Sequence, residues 1–255
     1  MATPFKTSNG RSDKTCFISI DVEQDVGIGI EKFQGIDNID KILNVFRGHG
    51  VAATLFVTGE VLDAYKDKLH DLSKFYEIAC HGYTHKFWDT LNSRERKEEL
   101  ENFISLYRDI FQKSPIGFRA PSHIIDGEGL QLLEESGFLC DSSIVPHYPP
   151  FKKYRGYKGK APLSPYNLQG MRLLEIPNSG QLMGVPLAGA WIRKLPLLVY
   201  KILFLIYRPK FITLSMHSWD SLHPVFLKKL EGILGILEKY NYRFLNGEQI
   251  LKNRR

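Results

Sequence analysis

Cysteine is scarce in this chain: Cys16, Cys80 and Cys140 are the only three, far apart and each set among apolar or small neighbours. That excludes a small disulfide-stapled scaffold and suits buried thiols in a reducing compartment. No Pro-, Gly- or Ser-rich linker interrupts the apolar segments, so nothing marks a boundary between two domains. No apolar run approaches the roughly 18 to 20 residues that a membrane-spanning helix needs. The opening stretch Met1 to Lys14 lacks the apolar core of a signal peptide. A flexible N-terminal segment over 1–14, one domain over 15–255 and a cytoplasmic protein are therefore expected. Nucleic-acid signatures such as zinc-finger or RNP motifs are missing, so no nucleic-acid partner is expected. Acidic residues are nearly absent between Lys152 and Lys210, where Glu175 alone interrupts a belt of basic ones.

What is present is an ordinary globular composition, 43% apolar and 24% charged, in 255 residues, enough to bury a core without staples. The net charge of +6 points to an anionic surface or a phosphorylated group as partner. Short apolar runs alternate with longer amphipathic ones, the pattern of β/α units. Strands are expected at Cys16–Ile20, Ala52–Val57, Glu77–Cys80, Ile116–Arg119, Phe138–Cys140 and Phe211–Met216, with Phe244 and Leu245 closing the sheet. Helices are expected over Ile39–His49, Ser93–Phe111 with a Ser cap, Gly129–Ser136 and Pro224–Tyr240. Polar residues follow these strands directly: Asp21 after CFISI, His81 after EIAC, Arg119 after IGF, Asp141 after FLC and His217 after ITLSM. In a barrel of parallel strands all such positions gather at one end, where active sites form.

Asp21 and Glu23, two residues apart, project to the same side if the strand continues. Alone they would equally suit a solvated loop. His81 and His85 in HGYTH are four apart and on one helical turn would face the same way, as paired metal-binding histidines do. With one of the two carboxylates they make a two-His, one-carboxylate set that leaves positions open for water and substrate. Amide hydrolysis at such a centre needs a base, an acid for the departing amine and an oxyanion donor. The carboxylate not bound to metal can serve as base, held ionised by Arg119. His217 can serve as acid.

The succession SIDVEQD, HGYTH, FRAPSH, CDSS and LSMH, spread from about residue 16 to 220, resembles the polysaccharide deacetylases of the NodB-homology type, carbohydrate esterase family 4. The resemblance implies an α/β fold, a distorted (β/α) barrel of about seven strands, and a divalent metal, Zn2+ first. It makes Asp21 the base, Glu23, His81 and His85 the metal ligands and Arg119 the partner of the base. The backbone N–H of Ser122 becomes an oxyanion donor and His217 the acid, while Trp219 and Asp141 become substrate-side residues, with Trp219 and Asp220 at the pocket rim. Three departures stand out. The acids are DVE rather than two adjacent aspartates, Gly82 replaces the usual Ser or Thr, and Ser122 and His123 follow the RAP turn where an aromatic is frequent. The segment from Gly189 to Pro209 also resembles a subgroup encoded with exopolysaccharide assembly genes.

Leu195–Tyr207 (LPLLVYKILFLIY) carries one charge over 13 residues and is too short to span a bilayer. It reads either as an outer barrel helix or as an interfacial one, with Trp191, Arg193, Lys194, Lys201, Tyr207, Arg208 and Lys210 as its aromatic and basic flanks. On the second reading, residues 189–210 make peripheral contact with an anionic membrane at its inner face. Tyr148–Tyr166 reads as a loop over the pocket that contributes to sugar binding. The expected partner is an N-acylated glycan or a lipid-linked amino sugar. The rivals are hydrolysis of a non-sugar amide or cyclic imide and a non-catalytic glycan-binding protein. An inverting glycosidase would have no use for His81 and His85.

Overall fold

The computed structural model describes residues 14–25, 33–146, 155–157 and 161–254. The segment 1–13 and most of the loop expected between Tyr148 and Tyr166 lie outside the described residues. In chain order the first half contains β1 (Thr15–Val22), α1 (Gln34–Asp37), α2 (Asp40–Gly48), β2 (Thr54–Val57), α3 (Gly59–Ala64), α4 (Lys66–Leu72), β3 (Glu77–Cys80), α5 (Ser93–Phe111), β4 (Gly117–Phe118), α6 (Gly127–Glu135) and β5 (Cys140–Asp141). The second half contains β6 (Tyr166–Asn167), β7 (Leu174–Glu175), β8 (Gln181–Leu182), β9 (Val185–Pro186), α7 (Gly189–Lys194), α8 (Leu197–Ile206), β10 (Phe211–His217), α9 (Pro224–Lys239), β11 (Arg243–Leu245) and α10 (Gly247–Lys252).

Seven strands run parallel in the order β10-β1-β2-β3-β4-β5-β7, with β11 beside the first half of β1 and β6 antiparallel to β7. This bears out the α/β barrel of about seven strands. The strands read as near-continuous apolar runs because both faces are covered, one by helices and one by the barrel interior. Between the two margins, β7 and β10, the chain from 176 to 188 fills in: Asn178 N–H donates to Ile144 O, Thr213 Oγ1 donates to Asn178 Oδ1, and Ala188 bridges Ser215.

Side-chain parity divides the strands. Phe17, Phe56, Ala79, Cys140, Leu174, Ile176, Phe211, Leu245 and Ile250 form the inner cluster, whereas Ile18, Ile20, Leu55, Cys80 and Phe118 belong to the larger core beneath the helices. Continuing the inner parity upward leads to Asp21, Glu23, His81, Arg119, Ser142 and His217. Register brings these ends level, with Asp21 beside both His217 and Phe56, and Cys80 beside Phe118, itself beside Asp141.

The expected helices are present with small shifts. The helix expected over Ile39–His49 is α2, Asp40–Gly48, with the short α1 just ahead of it. The cap of α5 is Asn92 rather than Ser93: its side chain accepts from Glu95 N–H while Glu95 returns a bond to Asn92 N–H. The apolar stretch Leu195–Tyr207 is divided by Pro196, which ends the approach from α7 and starts α8. Among the described residues no helix is long and apolar enough to cross a membrane.

Candidate active site

His81 leaves the end of β3 pointing inward, and its Nδ1 lies 2.8 Å from the backbone carbonyl of Arg119. A carbonyl can only accept, so Nδ1 carries a proton and Nε2 turns its face to Glu23 Oε2 at 3.0 Å. His85 Nε2 closes on the same oxygen. These three side chains offer ligand atoms that all lie within 4.8 Å of one another. Electron-rich atoms turned on one point stay there only with something positive between them, a proton or a metal ion. The donor set therefore fits a divalent cation. Burial pushes the Glu23 carboxyl up, but hydrogen bonds and charge from His81 and His85 outweigh it and hold Glu23 well below the usual range. Burial pushes His81 down, and Glu23 with Asp21 prevails and raises it.

The pair converges by a route other than the expected helical turn. Residues 81–87 are a loop, with Gly82 at φ 77° and His85 at φ 57°, both in the left-handed region. The first position explains the glycine, since a Ser or Thr there would carry a Cβ into a conformation that disfavours it. Glu99, buried on α5, ties the loop down: it accepts from Tyr83 N–H at 2.7 Å, Thr84 N–H at 2.9 Å and the Thr84 hydroxyl at 2.6 Å. Gly59 and Glu60 at the start of α3 donate to the carbonyls of Gly82 and Tyr83 from the other side. Sequence reasoning missed Glu99. Its only signal was an acid at one turn of a charged helix.

Asp21, two residues before Glu23, faces Arg119 instead, with Nη1 2.6 Å from Oδ1. Arg119 is 0% exposed, and two more of its donors go to Ser142: Nε donates to the carbonyl at 3.2 Å and Nη2 to the hydroxyl at 2.9 Å. Its plane also lies over the Phe56 ring, 4.1 Å from the centroid. Burial pushes the Asp21 carboxyl up, but the charge of Arg119, with His81 next, holds it below the usual range. Glu23 and Asp21 are thus separated by geometry, one turned to the imidazoles and the other to the guanidinium.

His217 ends β10 with Nε2 3.8 Å from Glu23 Oε1. Its other ring edge accepts from the Asp220 backbone N–H, and Asp220 Oδ2 in return accepts from His217 N–H. A nitrogen that accepts carries no proton in a neutral imidazole, so the proton sits on the side facing the site. Trp219 stacks on the ring, centroids 4.2 Å apart and planes 10° from parallel. Neither Trp219 nor Asp220 lies at a rim: both are buried, Trp219 beneath His217 and Asp220 in an ion pair with Arg193.

Ser122 is exposed in a tight turn over Pro121–His123, at φ 54°, where the turn's own bonds use the N–H groups of His123 and Ile124. His123 accepts at Nε2 from the Asn178 amide at 3.1 Å, and burial with the Arg119 charge pushes its pKa down to about 3, so it is neutral. It too was missed, because a lone His after the RAP turn carries no spacing signal. Asp141 corrects an expectation. One residue past Cys140, it has outward parity and is buried where Ser143 donates to both its oxygens and the Glu175 carboxyl lies against it. It makes no substrate surface; its neighbour Ser142 has the inward parity and reaches Arg119.

The family model for polysaccharide deacetylases matches residues 13–140. A peptidoglycan deacetylase-like protein of Gibberella zeae is 32% identical over 118 residues, 45% of this chain and 35% of its own length. The alignment thus spans about a third of that relative. Among solved structures, a polysaccharide deacetylase assigned in Mycobacterium smegmatis is 18% identical, with 99% of this chain and 94% of that one covered at a TM-score of 0.67. An allantoinase is 15% identical, with 98% and 93% covered at 0.69. At these identities the two structures establish a shared fold.

Proposed function

The chain belongs to the polysaccharide deacetylase family, and from that premise we propose that it removes the N-acyl group, acetyl first, from an amino sugar in a glycan, in a single catalytic domain over 15–255. The observation that carries this is the convergence of Glu23, His81 and His85 on one point, beside an Asp21 carboxylate held ionised by Arg119. A glycan-binding protein would have no need of both. Glu23, His81 and His85 would hold a divalent cation, with zinc the first candidate for two imidazoles and a carboxylate. Bound there, the ion supplies Lewis acidity toward the acyl carbonyl and toward water.

The remaining work falls to the chain's own side chains. Asp21 takes the proton of the attacking water, and Arg119 fixes which of its oxygens is free to do so. The Ser122 backbone N–H, on a turn that projects into solvent, donates to the oxygen that gains charge as the carbonyl becomes tetrahedral. His217 serves as the acid in its imidazolium form, giving its site-facing proton to the departing amine and returning to neutral imidazole; Trp219 behind the ring and Asp220 beside it keep it aimed.

The test is acetate release from a panel of N-acetylated glycans, with and without chelator, in the parent and in Asp21→Asn and His81→Ala. Either variant is expected to lose about 100-fold or more in kcat. Chelator-insensitive release, or variants as active as the parent, would defeat the mechanism. The second reading, hydrolysis of a non-sugar amide or cyclic imide, draws support from the fold shared with an allantoinase. Including allantoin in the panel separates the two.

A further inference from the structure

The helix α8 has a filled inner side and an apolar outer side. Inward, Tyr200 and Phe204 are buried, with Phe204 against the rings of Tyr240 and Tyr242, and Leu197 lies against α9 so closely that a side chain at Gly232 would strike it. Outward, where a globular helix presents polar residues, this one presents Leu198, Ile202, Leu205 and Ile206, spaced i, i+4, i+7 and i+8. Leu198 is 63% exposed, Leu205 62% and Ile206 66%. Tyr207 and, from the β8–β9 hairpin, Met183 are also exposed.

The charges of the segment that carries this face are of one sign. Between Glu175 and Asp220 there is no acidic residue, and there are five basic ones: Arg193, Lys194, Lys201, Arg208 and Lys210. Lys194, Lys201, Arg208 and Lys210 are exposed. The Arg208 guanidinium is anchored on the carbonyls of Phe204 and Leu205, which fixes a cation at the end of the apolar row. A second copy of the same face would bring cations against cations with no acid of the segment to pair them. A partner that is apolar below and negative above fits instead.

We propose that α8 seats the chain on an anionic lipid surface, with Leu198, Ile202, Leu205 and Ile206 at the acyl boundary and Lys194, Lys201 and Arg208 among the headgroups. At about 15 Å the helix is too short to cross and lies in the plane. The seat is continuous with the site: Arg193 on α7 pairs with Asp220, whose other oxygen accepts from His217 N–H. A substrate carried on a lipid phosphate would be presented at that surface. This docking does not depend on the deacetylase reading, and the two fail separately.

The experiment is co-sedimentation of the full chain with phosphatidylcholine vesicles, with and without phosphatidylglycerol, over a salt series. The parent is expected to sediment with the anionic vesicles and to be released by salt. Leu198→Ser with Leu205→Ser should weaken binding to both vesicle types by about tenfold or more. Lys194→Gln with Lys201→Gln should remove the preference for anionic vesicles. Absence of sedimentation, or binding unchanged in both pairs, overturns the proposal; so does a parent dimer that the leucine pair dissolves, which would identify a second copy as the occupant. Acetate release from a soluble N-acetylated oligosaccharide is measured on the same samples. Activity without vesicle binding refutes the seat alone, and vesicle binding without activity refutes the deacetylase reading alone.

Discussion

Glu99 holds Thr84 twice, through its backbone N–H at 2.9 Å and its hydroxyl at 2.6 Å, and so reaches from a helix on the outer layer into the loop that carries both histidines. Glu99→Gln keeps one oxygen for the two backbone N–H groups but turns an amide toward the Thr84 hydroxyl, which must then accept instead of donate. The loop should loosen, with about 10- to 100-fold weaker zinc affinity by calorimetry and a stability loss of about 1–3 kcal/mol in urea unfolding. Unchanged affinity would show that Gly82 and His85 keep their conformation unaided.

Arg119→Met should do two things at once. It leaves Asp21 buried without its counter-charge, which costs about 3–5 kcal/mol for a broken buried pair, and it removes the orientation of the base. Arg119→Lys restores the charge but not the fork that also serves Ser142. Folding is expected to recover in the lysine variant while kcat stays low, and equal recovery of both would remove the positioning role.

The buried acids Asp141 and Glu175 give stability a definite slope with pH. Burial pushes Glu175 well up, and the adjacent Asp141 carboxylate pushes it further. The native state thus keeps a proton that the unfolded chain releases once pH passes the ordinary carboxyl range. In that window the native state binds more protons, so stability is greatest in acid and falls as pH rises toward the folded pKa. Glu175→Gln should flatten that fall in urea titrations at several pH values; parallel slopes in parent and variant would contradict the assignment.

Gly189→Ala tests the support behind His217. A Cβ at 189 would strike the carboxylate of buried Asp220. Asp220 would have to leave Arg193 or the His217 N–H. A loss of about 1–3 kcal/mol is expected from the overpacking, together with a lower kcat and a nearly unchanged KM. A rise in KM alone would place the effect elsewhere.

Zinc at about 100 times its Kd should stabilise the chain by about 2.7 kcal/mol, visible as a rise in Tm. His85→Ala should abolish that rise while leaving the metal-free Tm close to the parent's, since His85 is partly exposed. A variant that still responds fully to zinc would mean that the ion binds at another place.

The barrel and the membership of the site were legible because strand ends announce themselves: an apolar run such as CFISI or FITLSM stops, and the next polar residue of inward parity belongs to the mouth. Asp21, His81, Arg119 and His217 all follow that rule. Asp141 broke it because β5 is only two residues long, and from sequence a strand so short does not reveal which of Asp141 and Ser142 points inward. Glu99 and His123 were illegible for a different reason. Each acts through a contact distant in sequence, Glu99 on Thr84 and His123 on Asn178. The convergence of His81 and His85 was foreseen for the wrong geometry, since four-residue spacing suits a helix and a left-handed loop equally well.

Arg119 serves the two halves of the site with different atoms, its carbonyl orienting His81 and its guanidinium holding Asp21. The carbonyl belongs to the main chain and survives any exchange of side chain, whereas the guanidinium does not. If the chain is the deacetylase proposed above, a single codon would silence hydrolysis while Glu23, His81 and His85 stayed together, turning a catalyst into a receptor without rebuilding the fold.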